Sequence, residues 1–202
     1  IGGRRVQSGL YRVTYVGDES TELVEAVPMT TDLMERRRSL ESFHGHEDPW
    51  AIETSWKDLS HDERFVRFAA RTAIEHQPVE TWADKALTES DPKIQLEALM
   101  ALARVTGVCP QHRTDSTPPV DTAIRDKLLA AVIAIDGSKL DATAQLTQQR
   151  TLQVVLNRFG RPNDATVQKL ITAIGPMFPS DSAELNWLLC ETLAWLESPT
   201  VV

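Results

Sequence analysis

Along residues 9–17 apolar and polar side chains alternate. Leu10, Arg12, Thr14 and Val16 fall on one side, and Tyr11, Val13 and Tyr15 on the other. A period of two, rich in β-branched and aromatic residues, predicts a strand. Gly2-Gly3 before it and Gly17-Asp18 after it supply turns. A lone strand leaves its backbone groups unpaired, so the pattern calls for partners: one hairpin arm from the preceding residues and further strands outside the chain. Residues 1–17 are therefore expected to be a short β remnant, and Ile1-Gly2-Gly3 and Val201-Val202 the edges of a longer parent. Residues 18–29 are charged, lack periodicity and close on Pro28, which predicts a linker.

From residue 30 to 202 the period changes to that of a helix. Asp32-Leu33-Met34-Glu35 has the spacing of a capping box, Leu33, Arg37, Leu40 and Phe43 share a face, and Gly45 ends the helix. Further helices are predicted from Asp48-Pro49 to about Leu59, from Ser60 through Glu63 to His76, from Pro78, and from Ser90-Asp91-Pro92 to Gly107. After a Pro-rich loop over 108–119, helices resume at about Val120–Asp136 and Leu140–Phe159. The last two run from Asn163 to Phe178, with a break at Gly175-Pro176, and from Asp181 to Glu197. About nine helices on short links make sequential neighbours antiparallel.

Two of these helices repeat. Asp62 through Ile74 aligns with Asp91 through Ala103 at an offset of 29 residues (91 − 62), pairing Arg64 with Lys93, Phe65 with Ile94 and Ala69 with Ala98. Alanines in mid-helix let neighbouring helices approach closely. Asp62, Val66-Arg67, Ala69-Ala70 and Ala73-Ile74 resemble the second helix of a HEAT repeat, in a unit shorter than the usual one of roughly 40 residues. The fold expected is all-α: a HEAT-like solenoid of about nine antiparallel helices over residues 30–202, preceded by the β remnant.

A second resemblance spans more of the N-terminal half. Ile1 through Arg5 with Ser8 through Val13 is similar to the closing strands of a β-propeller of the glucose/sorbosone dehydrogenase kind. Leu40-Glu41-Ser42-Phe43-His44-Gly45, Phe65 through Arg71 and Glu75-His76-Gln77 resemble the helical segment that follows such propellers. The resemblance implies a large secreted bacterial parent, often with a cytochrome c domain, and an extracytoplasmic setting. It also makes the flanking domains the expected protein partners. The catalytic blades and a C-x-x-C-H haem motif are absent from this sequence, so dehydrogenase or haem chemistry would belong to other parts of the parent.

Composition narrows the function classes. A net charge of −8 over 202 residues argues against general nucleic-acid binding, which draws on surplus Lys and Arg. No apolar run is long enough to cross a bilayer. Cys109 and Cys190 form no metal or redox motif and are expected to be free, with Cys190 buried. Trp50, Trp56, Trp82, Trp187 and Trp195 are expected to pack between helices. No nucleophile has a local base, and no phosphate loop or zinc-hydrolase motif is present, so the expectation is a non-catalytic interaction or spacer segment with no cofactor. The alternative is an accessory segment of a dehydrogenase or electron-transfer enzyme whose catalytic parts lie elsewhere.

Two clusters carry candidate chemistry. His44-Gly45-His46-Glu47-Asp48 holds enough donors for zinc. It also reads as a helix end, with His44 in the last turn, Gly45 as cap and Asp48-Pro49 opening the next helix. Arg64, Arg67 and Arg71 share one helix face. The repeat offset carries them to Lys93, Leu96 and Met100, with Arg104 a turn further on. Arg64, Arg67, Arg71, Lys93 and Arg104 either edge a partner-binding groove or pair with carboxylates such as Glu97 or Glu63. Arg36-Arg37-Arg38 points in three directions and is expected to be solvated.

Overall fold

In the computed structural model, residues 9–23, 31–199 and 201 are described. The chain divides into two units, residues 1–30 and 31–202. In the first, residues 9–23 contain no strand, and Leu10, Val13, Val16 and Leu23 are almost fully exposed. The predicted β remnant is therefore not seen there. Alternation becomes a ladder only when a second strand supplies hydrogen bonds, and the described segment has none. The hairpin arm expected before it (residues 1–8) and the end of the linker (24–29) lie outside the described residues.

The second unit is all-helical among its described residues. Its helices are α1 (Asp32–Glu41), α2 (Ala51–Ser55), α3 (Arg64–Glu75), α4 (Ala83–Thr88), α5 (Pro92–Thr106), α6 (Thr122–Ala134), α7 (Ala142–Phe159), α8 (Asp164–Ile174) and α9 (Ala183–Trp195). Several ends differ by a residue or more from the sequence expectation because another side chain is the cap. Thr31 Oγ1 accepts from Met34 N–H, which moves Asp32 into the first turn, where its charge favours the helix dipole. Ser182 rather than Asp181 caps α9, and Glu63 rather than Ser60 caps α3. Ser60 instead closes a 3-10 turn, Trp56–Ser60, that takes over the second half of the predicted second helix. Asp91, Asp121, Asp141 and Asn163 cap α5, α6, α7 and α8 through their side chains. Gly160 takes φ 81°, the left-handed conformation that ends a helix without a Cβ clash.

The odd-numbered helices pack on one another in chain order, α1 to α9, while α4, α6 and α8 form a second row behind them. Equivalent positions face each other between α3 and α5. Arg67 and Arg71 reach Glu97, and Glu75 reaches Arg104. Partners that advance together along both helices mean that α3 and α5 run parallel. Lys93 with Asp141 and Arg158 with the Arg104 carbonyl make the same argument for α5 and α7.

Small residues allow this stacking. Ala69, Ala70, Ala73 and Ile74 of α3 are buried, and so are Ala98, Leu99, Leu102 and Ala103 of α5, which the repeat offset pairs with them in order. Where one helix carries alanine the other carries leucine at two of these positions, so volume is shared between layers. Helix α5 is buried at Leu96 and without a break from Ala98 to Ala103, because α3, α4, α6 and α7 surround it.

Polar groups fasten the first two turns of the stack. Arg36 donates from Nε and Nη2 to the buried carboxylate of Asp58, and also to the Thr54 carbonyl at 2.8 Å. Donating to the Asp58 carboxylate raises the Arg36 pKa above its ordinary value. This corrects the expectation of a solvated Arg36; three successive helical positions point apart, and one of them meets a buried acid. Gln77, itself buried, accepts from Asp48 N–H at 2.7 Å and donates to the His46 and Ala73 carbonyls. Glu89 accepts from the backbone N–H of Asp91 and from Trp56 Nε1 at 2.7 Å, and both hold its carboxyl below the usual range.

Replacing Asp58 by Ala leaves the Arg36 guanidinium without its acid and is expected to lower stability by about 2 kcal/mol. Urea unfolding checks it: the midpoint should fall with the slope unchanged.

Candidate interaction surface

The side of the odd-numbered row away from the second row carries the arginines singled out in the sequence. Helix α3 presents them because Val66, Ala69, Ala70, Ala73 and Ile74 take the buried face, leaving positions 64, 67, 68 and 71 on the other. Arg71 Nη1 donates to Glu97 at 2.8 Å and its Nε lies 3.5 Å from Glu75. Arg67 approaches Glu97 at 3.8 Å and donates to the His61 and Asp62 carbonyls. Arg104 donates to Glu75 at 2.7 Å. Lys93 pairs with Asp141 at 2.6 Å, both half exposed. Arg64 stacks over Phe65, 5.2 Å from the ring centroid, and has no ion pair among the described residues.

The structure therefore brings Arg67, Arg71 and Arg104 into one lattice with Glu75 and Glu97, three cations against two anions. Lys93 pairs with Asp141 beside that lattice, sharing a pocket of about 180 Å³ with Arg67 and Glu97. Glu97 was foreseen as a partner; Glu63 instead caps α3 by accepting from Phe65 N–H.

Sequence reasoning missed the aromatic share of this surface. Phe65 and Phe68 are 55% and 56% exposed and Trp187 is 68% exposed. Arg71 lies over Phe68, 5.4 Å from its centroid. Only Trp56 and Trp82 of the five tryptophans are buried; Trp50, Trp187 and Trp195 are exposed, against the expectation of packing between helices. On α9, Leu185, Leu188, Leu189, Thr192 and Leu193 take the buried face. That phase turns Trp187 outward, and Cys190 with it, so Cys190 is exposed rather than buried; it and Cys109 are free. The available signal was the Leu185-Leu189-Leu193 spacing, which defines the inner stripe and leaves positions 187 and 190 off it.

Between α5, α7 and α9 lies an open cleft of about 690 Å³. Met100, Leu146, Trp187 and Leu188 line it, with Arg71 at the α3 edge and Arg150 on α7. Arg150 is exposed and its described hydrogen bond goes to Gln153, at 2.8 Å. The cleft continues past Arg150 into a second one, between α7 and α9, bordered by Val154 and Trp195. In the other direction it shares Arg71 and Glu97 with the Arg64, Phe65 and Phe68 surface.

The histidine cluster is held by backbone. His44 Nε2 donates to the Ala69 carbonyl at 2.9 Å, and its ring stacks on His76 at 5.8 Å. His46 Nδ1 faces the His44 carbonyl at 3.3 Å. Gly45 has φ 81°. Among the described residues no group of three or more His, Cys, Asp or Glu side chains is placed to hold a metal ion, and no helix is long and apolar enough to cross a membrane.

Comparison with protein-family models, with curated proteins and with solved structures gives no match to this chain.

Two outcomes test the charge lattice. Glu97→Ala leaves Arg67 and Arg71 facing each other without their shared acid and is expected to cost about 2 kcal/mol of stability, read as a lower urea midpoint. The second concerns acid. Lys93, through its hydrogen bond and charge, holds the Asp141 carboxyl below its usual value, helped by the Ala144 N–H it caps. A depressed carboxylate contributes stability that is present above the ordinary aspartate value of about 4 and is lost as pH falls through the lowered one. Asp141→Asn keeps a capping side chain and is expected to flatten the fall in urea midpoint across that acid range.

Proposed function

We propose that this chain is a non-catalytic, HEAT-like interaction or spacer segment of a larger protein, with its flanking domains as partners. The observation that carries the reading is the open face of the odd-numbered row. It displays Phe65, Phe68 and Trp187 more than half exposed beside an arginine lattice, around a cleft with an apolar floor. Contiguous exposed aromatics rimmed by charge are costly to leave in water and mark surfaces that meet a partner.

The parallel order of α3, α5 and α7, with α4 and α6 returning behind them, supports the solenoid reading, because it is the arrangement repeating helix pairs generate. The alanine positions shared at the 29-residue offset (91 − 62) support it too. The mechanism would be geometric. Stacked helices hold neighbouring domains at a fixed distance and offer one face for docking. The resemblance to the segment following a dehydrogenase-type propeller suggests which domains those are, and an extracytoplasmic setting.

Titration calorimetry of the chain against separately produced flanking domains tests the reading. Binding that weakens with salt is expected, because the face carries arginine. Heats at the level of dilution for every flanking domain would leave a passive spacer and remove the docking role.

A further inference from the structure

We infer that the open face binds a linear peptide that carries an apolar anchor followed by acidic residues, the anchor seated between Met100, Leu146 and Trp187 and the acidic part running over α3. The inference rests on the interaction-segment reading and names the partner chemistry for it. Three observations carry it.

The first is charge. The chain as a whole is acidic, at −8, yet the α3 end of this face is not. Glu75 and Glu97 together neutralise two of Arg67, Arg71 and Arg104, and Arg64 and Arg150 have no ion pair among the described residues. A local cationic surplus on an acidic protein selects an acidic partner. The surplus is arginine, whose planar fork suits carboxylates.

The second is shape. The cleft adjoins a depression on either side. It shares Arg150 with the α7–α9 cleft and Arg71 with the α3 surface. A row of adjoining open depressions across several helices fits an extended chain better than a compact small molecule, which a closed pocket would surround.

The third is polarity along that row. Glu184 stands on the α9 wall, and Glu191, also on α9, accepts from Trp187 Nε1 at 2.8 Å. Carboxylates at that end disfavour an acidic ligand there. The free cation Arg64 stands at the other end. The apolar side chain therefore belongs in the cleft and the acidic residues on the α3 side.

The probe is a fluorescein-labelled peptide of roughly a dozen residues, a Leu-Phe pair followed by a run of glutamates, titrated into the full chain and read by anisotropy. Two control peptides replace the glutamates by lysines or the Leu-Phe pair by serines. Arg64→Glu and Trp187→Ala change exposed side chains, and each is expected to weaken binding of the acidic peptide about tenfold; circular dichroism verifies that both variants are folded. Both control peptides are expected to bind at least as weakly. Equal binding of the lysine and glutamate peptides, an unchanged affinity in both variants, or no binding of the acidic peptide overturns the inference. If a flanking domain binds and is indifferent to Arg64→Glu and Trp187→Ala, this inference falls while the interaction-segment reading stands. If neither domain nor peptide binds, this inference and the docking role both fall, and a passive spacer remains.

Discussion

Close approach of α3 and α5 across a seam of alanines is the constraint on which the helical unit depends. Parallel helices in one row bury two flanks and an inner face each, which a large side chain at every position would prevent. Ala69, Ala70 and Ala73 of α3 are buried, and so are Ala98, Leu99, Leu102 and Ala103 of α5, which packs on it. Once α5 is seated so, it has no outward apolar stripe left, and α4, α6 and α7 close on its remaining sides. A methyl-to-isobutyl change at this seam would push the helices apart, and the ion pairs on the open face would lose their distances with it.

Polar chemistry then sets the register that apolar contact leaves loose. Gln77 reaches from the end of α3 to both sides of the 44–48 loop and satisfies donors and acceptors that would otherwise be buried unpaired. His44 reaches the Ala69 carbonyl from the same loop. The residues richest in metal-ligand types are thus committed to holding α1 and α2 against α3. Arg36 and Asp58 make a similar commitment one layer earlier.

On the open face the same ion pairs do two things at once. Glu97 and Glu75 keep three arginines from repelling one another, which makes a dense cationic strip compatible with a stable stack. They do so with one fewer negative charge than positive, and Arg64 adds another. The exposed rings of Phe65, Phe68 and Trp187 beside that strip contribute nothing to the core. Packing and display are therefore separated by helix face on α3: alanine inward, arginine and aromatic outward.

The sequence alone determined the helical class, most caps to within a residue or so (α3 and α4 start later than Ser60 and Pro78 implied), the Gly175-Pro176 break that becomes a 3-10 turn after α8, and the phase that puts Arg64, Arg67 and Arg71 together. These depend on neighbours along the chain, through hydrogen bonds of three or four residues' reach and a fixed helical period. What only the tertiary structure decided depends on what lies across from a residue. Asp58 sits beyond the reach of Arg36 along the helix, yet turns it from solvent to an ion pair. Leu10 to Val16 alternates like a strand, yet the described residues supply no partner to pair it. Trp187 and Cys190 lie off the Leu185-Leu189-Leu193 stripe that turns inward, but whether another element covers the outer side is not written in that spacing. Hydrophobicity says that a tryptophan gains from burial; only packing says whether a neighbouring helix is there to bury it.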